Sequence, residues 1–271
     1  MIRAALGLAL ALASAAASAQ GLGVRADRGV PIEITARDGI EWRQEQRLYI
    51  ARGDARAVQG ETTVHGDVLS ASYVQDAGGA TEIRRLEANG HVRIVTPTRT
   101  AYGTRAIYDT EQRVFVLTGN PRLVAEDGQS VTARDSIEYW QDRELAVARG
   151  GAVAVSRGRT LQADTLTAYF EQGPDGKTRV RRIDALNNVV IAGDSEVVKG
   201  DRGAYDLGSG LARVVGNVSI TRGPNHITGA VADVDLNSGV SRLAGDGTTT
   251  VRGLIVPSDA GVQRGRATGG G

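Results

Sequence analysis

Residues 113–124 read RVFVLTGNPRLV, in which two apolar runs flank a central glycine, Gly119. The chain repeats this arrangement about seven times, at intervals of 29 to 37 residues. The central positions are Gly53, Gly90, Gly119, Gly150, Asn187, Gly216 and Gly245. Asparagine is compatible with such a position because, after glycine, it most readily adopts left-handed backbone angles. A recurrence at spacings of this size is typical of stacked supersecondary units.

The repeats form a larger duplication. A shift of 97 residues places Tyr108-Asp109 on Tyr205-Asp206. Residues 37–58 and 134–155 are identical at 12 of 22 positions under the same shift. Most of the chain is therefore predicted to be a three-repeat block present twice, followed by a partial seventh unit.

Alternating hydrophobicity around each centre predicts which side chains face inward. Leu117 and Leu123 lie at an even number of residues from Gly119, whereas Arg122 lies at an odd number. This period of two is that of a half-buried strand. Aromatic residues recur at constant distances before the centres and extend the pattern. The predicted interior residues are Trp42, Tyr73, Val92, Ile94, Tyr108, Phe115, Leu117, Leu123, Tyr139, Phe170, Ile191, Tyr205 and Ile220.

The fold is predicted to be all-β and elongated. Each repeat has room for two or three short strands, and about twenty strands exceed an ordinary sheet. Such a sheet must curl, split or stack as a β-solenoid, growing by about 4.8 Å per strand. No segment combines a helical period with helix start and stop signals. We therefore predict one continuous domain over residues 30–258.

The two termini are predicted to lie outside this domain. Residues 1–19 resemble a secretory signal peptide, with Arg3, an apolar run over residues 4–16 and an A-x-A cleavage site. The mature chain is then expected to begin at Gln20, with residues 20–29 as a short polar lead. Residues 259–271 are glycine-rich and are predicted to be disordered. The chain has no cysteine, which excludes disulfides and a cysteine-linked lipid anchor.

Composition and motifs argue against several functions. Without Arg3 the chain carries 31 basic and 31 acidic residues, so it lacks the excess of basic residues typical of a nucleic-acid-binding protein. The three histidines have no metal-ligand spacing, and we predict neither a metal nor another cofactor. The recurring aspartates are interpreted as turn caps, because a catalytic dyad rarely repeats at every layer. These are the pairs Asp67/Asp164 and Asp109/Asp206.

The inward positions hold many small residues. Alanine occupies ten of them: Ala51, Ala55, Ala57, Ala88, Ala146, Ala148, Ala152, Ala154, Ala185 and Ala212. Facing sheets pack about 10 Å apart when large side chains interdigitate, and so many alanines underfill that space. A closer approach of the sheets and a guest chain in the interior are both consistent with this pattern.

Four short segments together resemble a known family. Residues 30–34 (VPIEI), 106–109 (AIYD), 116–120 (VLTGN) and 254–258 (LIVPS), in this order behind a signal peptide, are similar to the OstA-like, LptA-type lipopolysaccharide-transport proteins. The resemblance covers nearly all of residues 30–258. The duplication makes this chain longer than a single family block, which is also compatible with a specialised relative such as an outer-membrane assembly domain.

The resemblance implies a fold, a location and a function. It implies a twisted, open β-jellyroll of antiparallel strands in the periplasm that binds the acyl chains of lipid A in its interior. It also implies end-to-end joining of copies, and partners among the inner- and outer-membrane transport components. Motif position carries interior lipid contacts over to Ile32, Ile34, Val95 and Tyr108, whereas the alternation places Ile94 inside. The other predicted interior residues then become candidate lipid contacts as well.

The terminal strands are predicted to be assembly edges. Ile32 and Ile34 belong to the first strand, and Leu254, Ile255 and Val256 to the last. Both strands carry almost no charge, and unpaired edges of this kind invite pairing with another chain.

Two rival functions stand beside a lipid conduit. A polysaccharide-cleaving β-solenoid enzyme requires clustered Asp, Lys and Arg on one outer face, and the charges here are spread. We therefore predict no enzymatic activity. A structural β-solenoid without a ligand remains the other alternative.

Overall fold

The structure, a computed structural model, describes residues 30–256 except 76–78, 80, 157, 175, 177, 236–237 and 239. The predicted signal peptide, polar lead and disordered tail lie outside the described residues. Within them the chain forms 18 strands of one sheet and no helix, so no described helix is available to cross a bilayer. The all-β prediction is confirmed, with slightly fewer strands than expected.

The strands, in chain order, are β1 (Glu33–Thr35), β2 (Gly39–Arg43), β3 (Leu48–Gln59), β4 (Thr62–Gln75), β5 (Thr81–Thr96), β6 (Arg99–Asp109), β7 (Val114–Thr118), β8 (Arg122–Ala125), β9 (Ser130–Thr132), β10 (Ser136–Trp140), β11 (Leu145–Ser156), β12 (Arg159–Gln172), β13 (Thr178–Ala192), β14 (Glu196–Asp206), β15 (Leu211–Arg222), β16 (Asn225–Asp235), β17 (Val240–Ala244) and β18 (Arg252–Leu254).

The strands follow one another as an antiparallel meander. β3 to β6 pair in sequence, and so do β11 to β16. The short strands act as two halves of one bent strand: β7 and β8 both pair with β6, and β9 and β10 both pair with β11. At the ends of the sheet, β1 and β2 pair with β3, while β17 and β18 pair with β16. The result is an elongated, open jellyroll in which every rung is bent.

The bend lies at the repeat centres. Between β5 and β6 the pairing skips from Asn89 to Val92, leaving Gly90 and His91 outside the ladder with φ of 73° and 45°. Residues 53–54, 119–120, 150–151, 187–188 and 216–217 are likewise pairs with positive φ. Glycine and asparagine tolerate such angles best, which explains their recurrence. The seventh centre, Gly245, lacks a positive φ, because β17 ends at the preceding residue and the chain leaves the ladder there.

The recurring aspartates cap the bends and turns, as interpreted from the sequence. Asp67 lies against the Gly90 backbone, and Asp164 accepts a hydrogen bond of 3.0 Å from Asn188 Nδ2 at the matching bend. Asp109 and Asp206 sit in hairpin turns, where each Oδ1 accepts a backbone N–H from three residues further along, at 2.9 and 2.8 Å. These carboxylates satisfy donors that the ladder leaves free.

The duplication is visible in the strand lengths. β3 and β11 have 12 residues each, β4 and β12 have 14, and β6 and β14 have 11. Each pair of strands is offset by 97 residues in the chain. The two blocks therefore build the same set of bent rungs twice along one sheet.

The core runs along the inside of the bends. Leu117 and Ala55 are fully buried in the first block, and Ala152 occupies the corresponding place in the second. Leu123 packs against the core clusters of both blocks, while Ile191 packs against those of the second block and of the last strands. The hydrophobic core is therefore continuous across the duplication.

The outer face carries ion pairs between neighbouring strands. The most enclosed carboxylate among these pairs is Glu138, which accepts hydrogen bonds from Arg149 Nε at 2.9 Å, Ser136 Oγ at 2.8 Å and Trp140 Nε1 at 3.1 Å. Burial alone raises the pKa of the Glu138 carboxyl, but these hydrogen bonds and the Arg149 charge outweigh burial. The pKa of Glu138 therefore lies below its ordinary value.

A lowered folded-state pKa makes stability depend on pH. The Glu138 carboxylate stabilises the fold above its unfolded pKa of about 4.3, and this contribution is lost as the pH falls through the folded value. We expect Glu138→Gln to cost about 1–3 kcal/mol at pH 7 and little at pH 3. Chemical denaturation at both pH values measures this, with the exposed Glu61→Gln as the control. Equal losses at the two pH values would contradict the prediction.

Candidate binding groove

Each bent rung has two arms that face each other. In the first arm, which precedes the bend in β3, the inward side chains form a continuous row of cross-strand neighbours. This row consists of Trp42, Tyr49, Ala71, Leu86, Tyr108, Phe115 and Tyr139. In the second arm the matching row consists of Ile34, Ala57, Val64, Ile94, Ala101, Leu123, Val131, Ala154, Leu161 and Ile191. The two rows line the opposite walls of an apolar groove.

The arms do not close completely on each other in the first block. A cavity of about 280 Å³ lies between them, lined on one wall by Tyr108 and Phe115 and on the other by Ile34 and Ile94. Further along, Ala51, Ala57, Ala71, Ala88 and Ala106 contribute to its lining. Short alanine side chains leave this space open where larger side chains would interdigitate.

A second cavity of about 130 Å³ lies in the second block. Phe170 and Ile183 line it from the first arm, and Leu123 and Leu161 from the second. Tyr139 and Phe170 pack edge to face, with their ring centres 5.9 Å apart. Tyr139 also packs against the core cluster of the first block, so this aromatic pair lies where the two cavities approach each other.

The predicted interior residues fall into three groups. Ile32, Ile34, Ile94, Tyr108 and Phe115 line the larger cavity, and Leu123 and Phe170 line the smaller one. Val92, Leu117, Tyr73, Tyr139, Ile191, Tyr205 and Ile220 are buried or half-buried on the inner face without lining either. Val92 and Leu117 belong to the core at the bend, beneath the larger cavity.

Two predicted interior residues are placed differently. Val95 lies on the opposite face of β5 from Ile94, because successive residues of a strand point to opposite sides. It lines neither cavity. The interior position assigned to Val95 by resemblance is therefore wrong by one residue. Trp42 lies on the inner row but is 54% exposed, because β2 is at the edge of the described sheet.

An aromatic cluster closes the groove at this edge. Trp42 stacks on Tyr49 with ring centres 5.7 Å apart, and Tyr49 contacts Tyr73 at 5.1 Å. Trp42 Nε1 donates a hydrogen bond of 2.8 Å to Tyr73 Oη. The cluster therefore offers a broad aromatic surface at the end of the apolar groove.

Several lining residues were missed by the sequence reasoning. Val64, Leu69 and Ile83 line the larger cavity, and Leu161 and Leu166 the smaller. Most lie on β4 and β12, the strands that pair with the glycine-centred ones. The signal was present, because Asp67 and Asp164 mark the bends of these strands. Leu69 and Leu166 lie two residues after these aspartates, and Val64 and Leu161 lie three residues before them, since the register shifts at the bend.

The two sheet edges expose apolar side chains. At the last edge Leu254, Ile255 and Val256 are 62%, 71% and 45% exposed. β18 itself is only Arg252–Leu254, so the predicted closing strand is shorter than expected. Ile32 and Ile34 at the first edge are half-buried against the larger cavity instead of fully exposed.

Few titratable side chains lie on the inner face of the groove. Among the described residues, no group of three or more His, Cys, Asp or Glu side chains is placed to bind a metal ion. Burial, reinforced by the nearby Asp206, raises the pKa of the Tyr205 hydroxyl, which therefore stays neutral at pH 7. Arg99 is the cationic residue lining the smaller cavity, and burial lowers its pKa. The walls thus suit an apolar guest, with one positive charge at the smaller cavity.

Comparison with known proteins finds the same family domain in both duplicated blocks. The family model described as LptA/(LptD N-terminal domain) LPS transport protein matches twice, at residues 33–145 and 135–240. A similar solved structure is LptH, titled the LptA homologous periplasmic component of the conserved lipopolysaccharide transport device from Pseudomonas aeruginosa. It is 24% identical over 46% of this chain and 87% of that chain, with a TM-score of 0.39. No curated protein matches the chain.

The family matches carry the assignment. Each match falls largely within one of the duplicated blocks, which fits two consecutive copies of the family domain. The family consists of transport proteins and not of enzymes. Because the matches together span residues 33–240, the chain belongs to the LptA/(LptD N-terminal domain) LPS transport protein family.

Proposed function

We propose that this chain carries lipopolysaccharide through the periplasm by holding lipid A acyl chains between the two arms of the bent sheet. The observation that carries the proposal is the open apolar groove with its larger cavity in a member of a lipopolysaccharide-transport family. Ligand pockets usually measure about 300–1,000 Å³, and the larger cavity lies near the lower end of that range.

The chemistry of the walls favours acyl chains over a polar guest. Leu86, Ile94, Tyr108 and Phe115 converge on the larger cavity from both arms. Each methylene group transferred from water to such surroundings contributes about 0.8 kcal/mol. Acyl chains therefore fill the space that the alanines leave open, and no catalytic group is needed.

We further propose that copies join end to end and meet the inner- and outer-membrane components of the transport machinery. β1 and β2 at one end and β18 at the other provide edge strands for pairing. Main-chain hydrogen bonds across such an edge supply affinity, and side-chain pockets supply specificity. Joining in this way aligns the grooves of successive copies into one apolar path.

The interior is tested by site-specific photo-crosslinking in cells. A photo-reactive residue at Tyr108 or Leu123 is expected to label lipopolysaccharide, because both positions line a cavity. The same residue at Arg122 or Val95, on the outer face, is expected to give no label. Labelling from Arg122 and Val95 alone would show that the faces are inverted. Mass spectrometry of organic extracts from protein purified without detergent identifies the bound lipid independently.

A further inference from the structure

Arg99 is an arginine on the inner face of the groove. It begins β6 and precedes by two residues Ala101, which is buried in the core. Alternate residues of a strand share a face, so Arg99 points to the same side as Ala101. Its side chain lines the smaller cavity together with Leu123 and Ala125.

The Arg99 guanidinium differs from the arginines of the outer face. Several of those form ion pairs, as Arg149 does with Glu138 and Arg213 with Asp233. In the described part of the chain, Arg99 has neither an ion pair nor a side-chain hydrogen bond, and burial lowers its pKa against the opposing effects of Tyr139 and Asp127. The Asp127 carboxylate is occupied by Gln129, which donates to it from its backbone N and from Nε2.

Polar groups continue from Arg99 along the same level of the second arm. Ala125 pairs with Arg99, and its backbone N–H donates to the Gln129 carbonyl at 2.8 Å. Gln129 is buried and lines the smaller cavity. The Val155–Ser130 pairing places Ser156 beside Gln129. Ser156 is 3% exposed, and its Oγ has no hydrogen-bond partner among the described residues.

A charge without an ion pair and a buried hydroxyl without a hydrogen bond are costly beside an apolar space. Buried charges are normally paired, and buried hydroxyls normally bonded. Guanidinium groups bind phosphate and carboxylate oxygens through a planar fork of donors, and a serine hydroxyl adds one more donor. An oxyanion satisfies both requirements at once.

We propose that Arg99, Gln129 and Ser156 form a binding site for the phosphate head group of an amphiphile whose acyl chains enter the smaller cavity. This site rests on the proposed acyl-chain binding and adds to it a recognised charge. The site also sets the orientation of the bound lipid, because the head group lies at the second arm while the acyl chains lie between the arms.

Equilibrium binding of two matched lipids to the mature chain tests the site. The probes are lipid A and the same lipid A without its phosphates. The wild type is expected to prefer the phosphorylated form, and Arg99→Gln to lose about ten-fold or more of that preference. The matched control is Arg122→Gln, an outward arginine on the neighbouring strand β8, which is expected to keep the full preference.

The outcomes separate this site from the proposed function. If the wild type binds neither lipid, the acyl-chain proposal itself fails. If it binds both equally, or if Arg99→Gln keeps the preference, only the head-group site is overturned. Inorganic phosphate alone is expected not to bind in the millimolar range, and tight binding of it without lipid would overturn the amphiphile as the source.

Thermal unfolding distinguishes binding from a structural role. Arg99→Met removes a charge that has no ion pair among the described residues, so the lipid-free variant is expected to melt at the same temperature as the wild type or higher. The rise in melting temperature on adding lipid A is expected to shrink in this variant. A lower melting temperature combined with equal weakening of both lipids would identify Arg99 as structural and overturn the site.

Discussion

Gly119→Ala is expected to destabilise the protein by about 3–4 kcal/mol, which combines left-handed strain with overpacking. Gly119 has a φ of 81°, and a Cβ there would lie within 3.0 Å of Thr104 Oγ1 and Cβ on the neighbouring strand β6. The bend of this rung depends on that close approach. Gly119→Val, with a larger side chain, is expected to cost more. Urea denaturation followed by circular dichroism measures both.

A matched glycine separates the two sources of this cost. Gly128 has nearly the same φ, 82°, but nothing lies within 4 Å of the position that a Cβ would occupy. Gly128→Ala is therefore expected to cost only about 1–2 kcal/mol, from the backbone angle alone. Arg122→Val, on the outer face, is expected to be nearly neutral. If Gly119→Ala and Gly128→Ala cost the same, crowding at the bend contributes nothing and this account of the corner is wrong.

Removal of residues 254–271 is expected to abolish complementation of cells that lack the full-length protein. The truncation takes away the exposed end of the last edge while leaving the β15–β16 ladder intact. The truncated chain is expected to fold, to bind lipid and to stay monomeric. The chain from Gln20 to Gly271 is expected to form linear oligomers as its concentration rises, because a head-to-tail contact propagates unless its rotation closes a ring. Sedimentation across a wide concentration range measures this difference.

A point variant tests the edge without shortening the chain. Leu254→Lys with Ile255→Lys places charges on the exposed edge, a device by which natural sheets prevent edge pairing. The control is Leu211→Lys, which is similarly exposed but lies on β15, a strand paired on both sides. We expect only the edge variant to remain monomeric. A monomeric wild type at high concentration, together with a truncation that complements fully, would refute end-to-end assembly for this protein.

Much of the fold was predictable because its signals are local. The even-spaced apolar residues around Gly119 define an inner face, and the buried Leu117 and half-buried Leu123 lie on that face. The positive φ at six of the seven centres follows from residue type, since glycine and asparagine tolerate it. Aromatic residues at constant distances from the centres fall on one cross-strand row because the pairing register repeats with the sequence.

The candidate site was predictable only in part. The alternation placed Ile94 inside, and Ile94 lines the larger cavity, whereas resemblance selected the adjacent Val95. The alternation was followed only around the repeat centres. It did not extend to β4 and β12, so Leu69 and Leu166 on these strands were missed. Arg99 was also missed, because an arginine at a strand start is usually a surface residue, and its place beside a cavity depends on the facing arm.

The sequence by itself determined the all-β architecture, the duplication, the inner and outer faces and the positions of the bends. Each of these depends on the type and spacing of residues along the chain, which set backbone angles and the alternation of side chains. Only the tertiary structure decided how far the two arms close, because closure depends on which small and large side chains meet across the groove. It likewise decided that Trp42 is exposed at an edge, that Arg99 lines a cavity and that Ser156 is buried without a hydrogen-bond partner among the described residues. Each of these depends on neighbours distant in sequence.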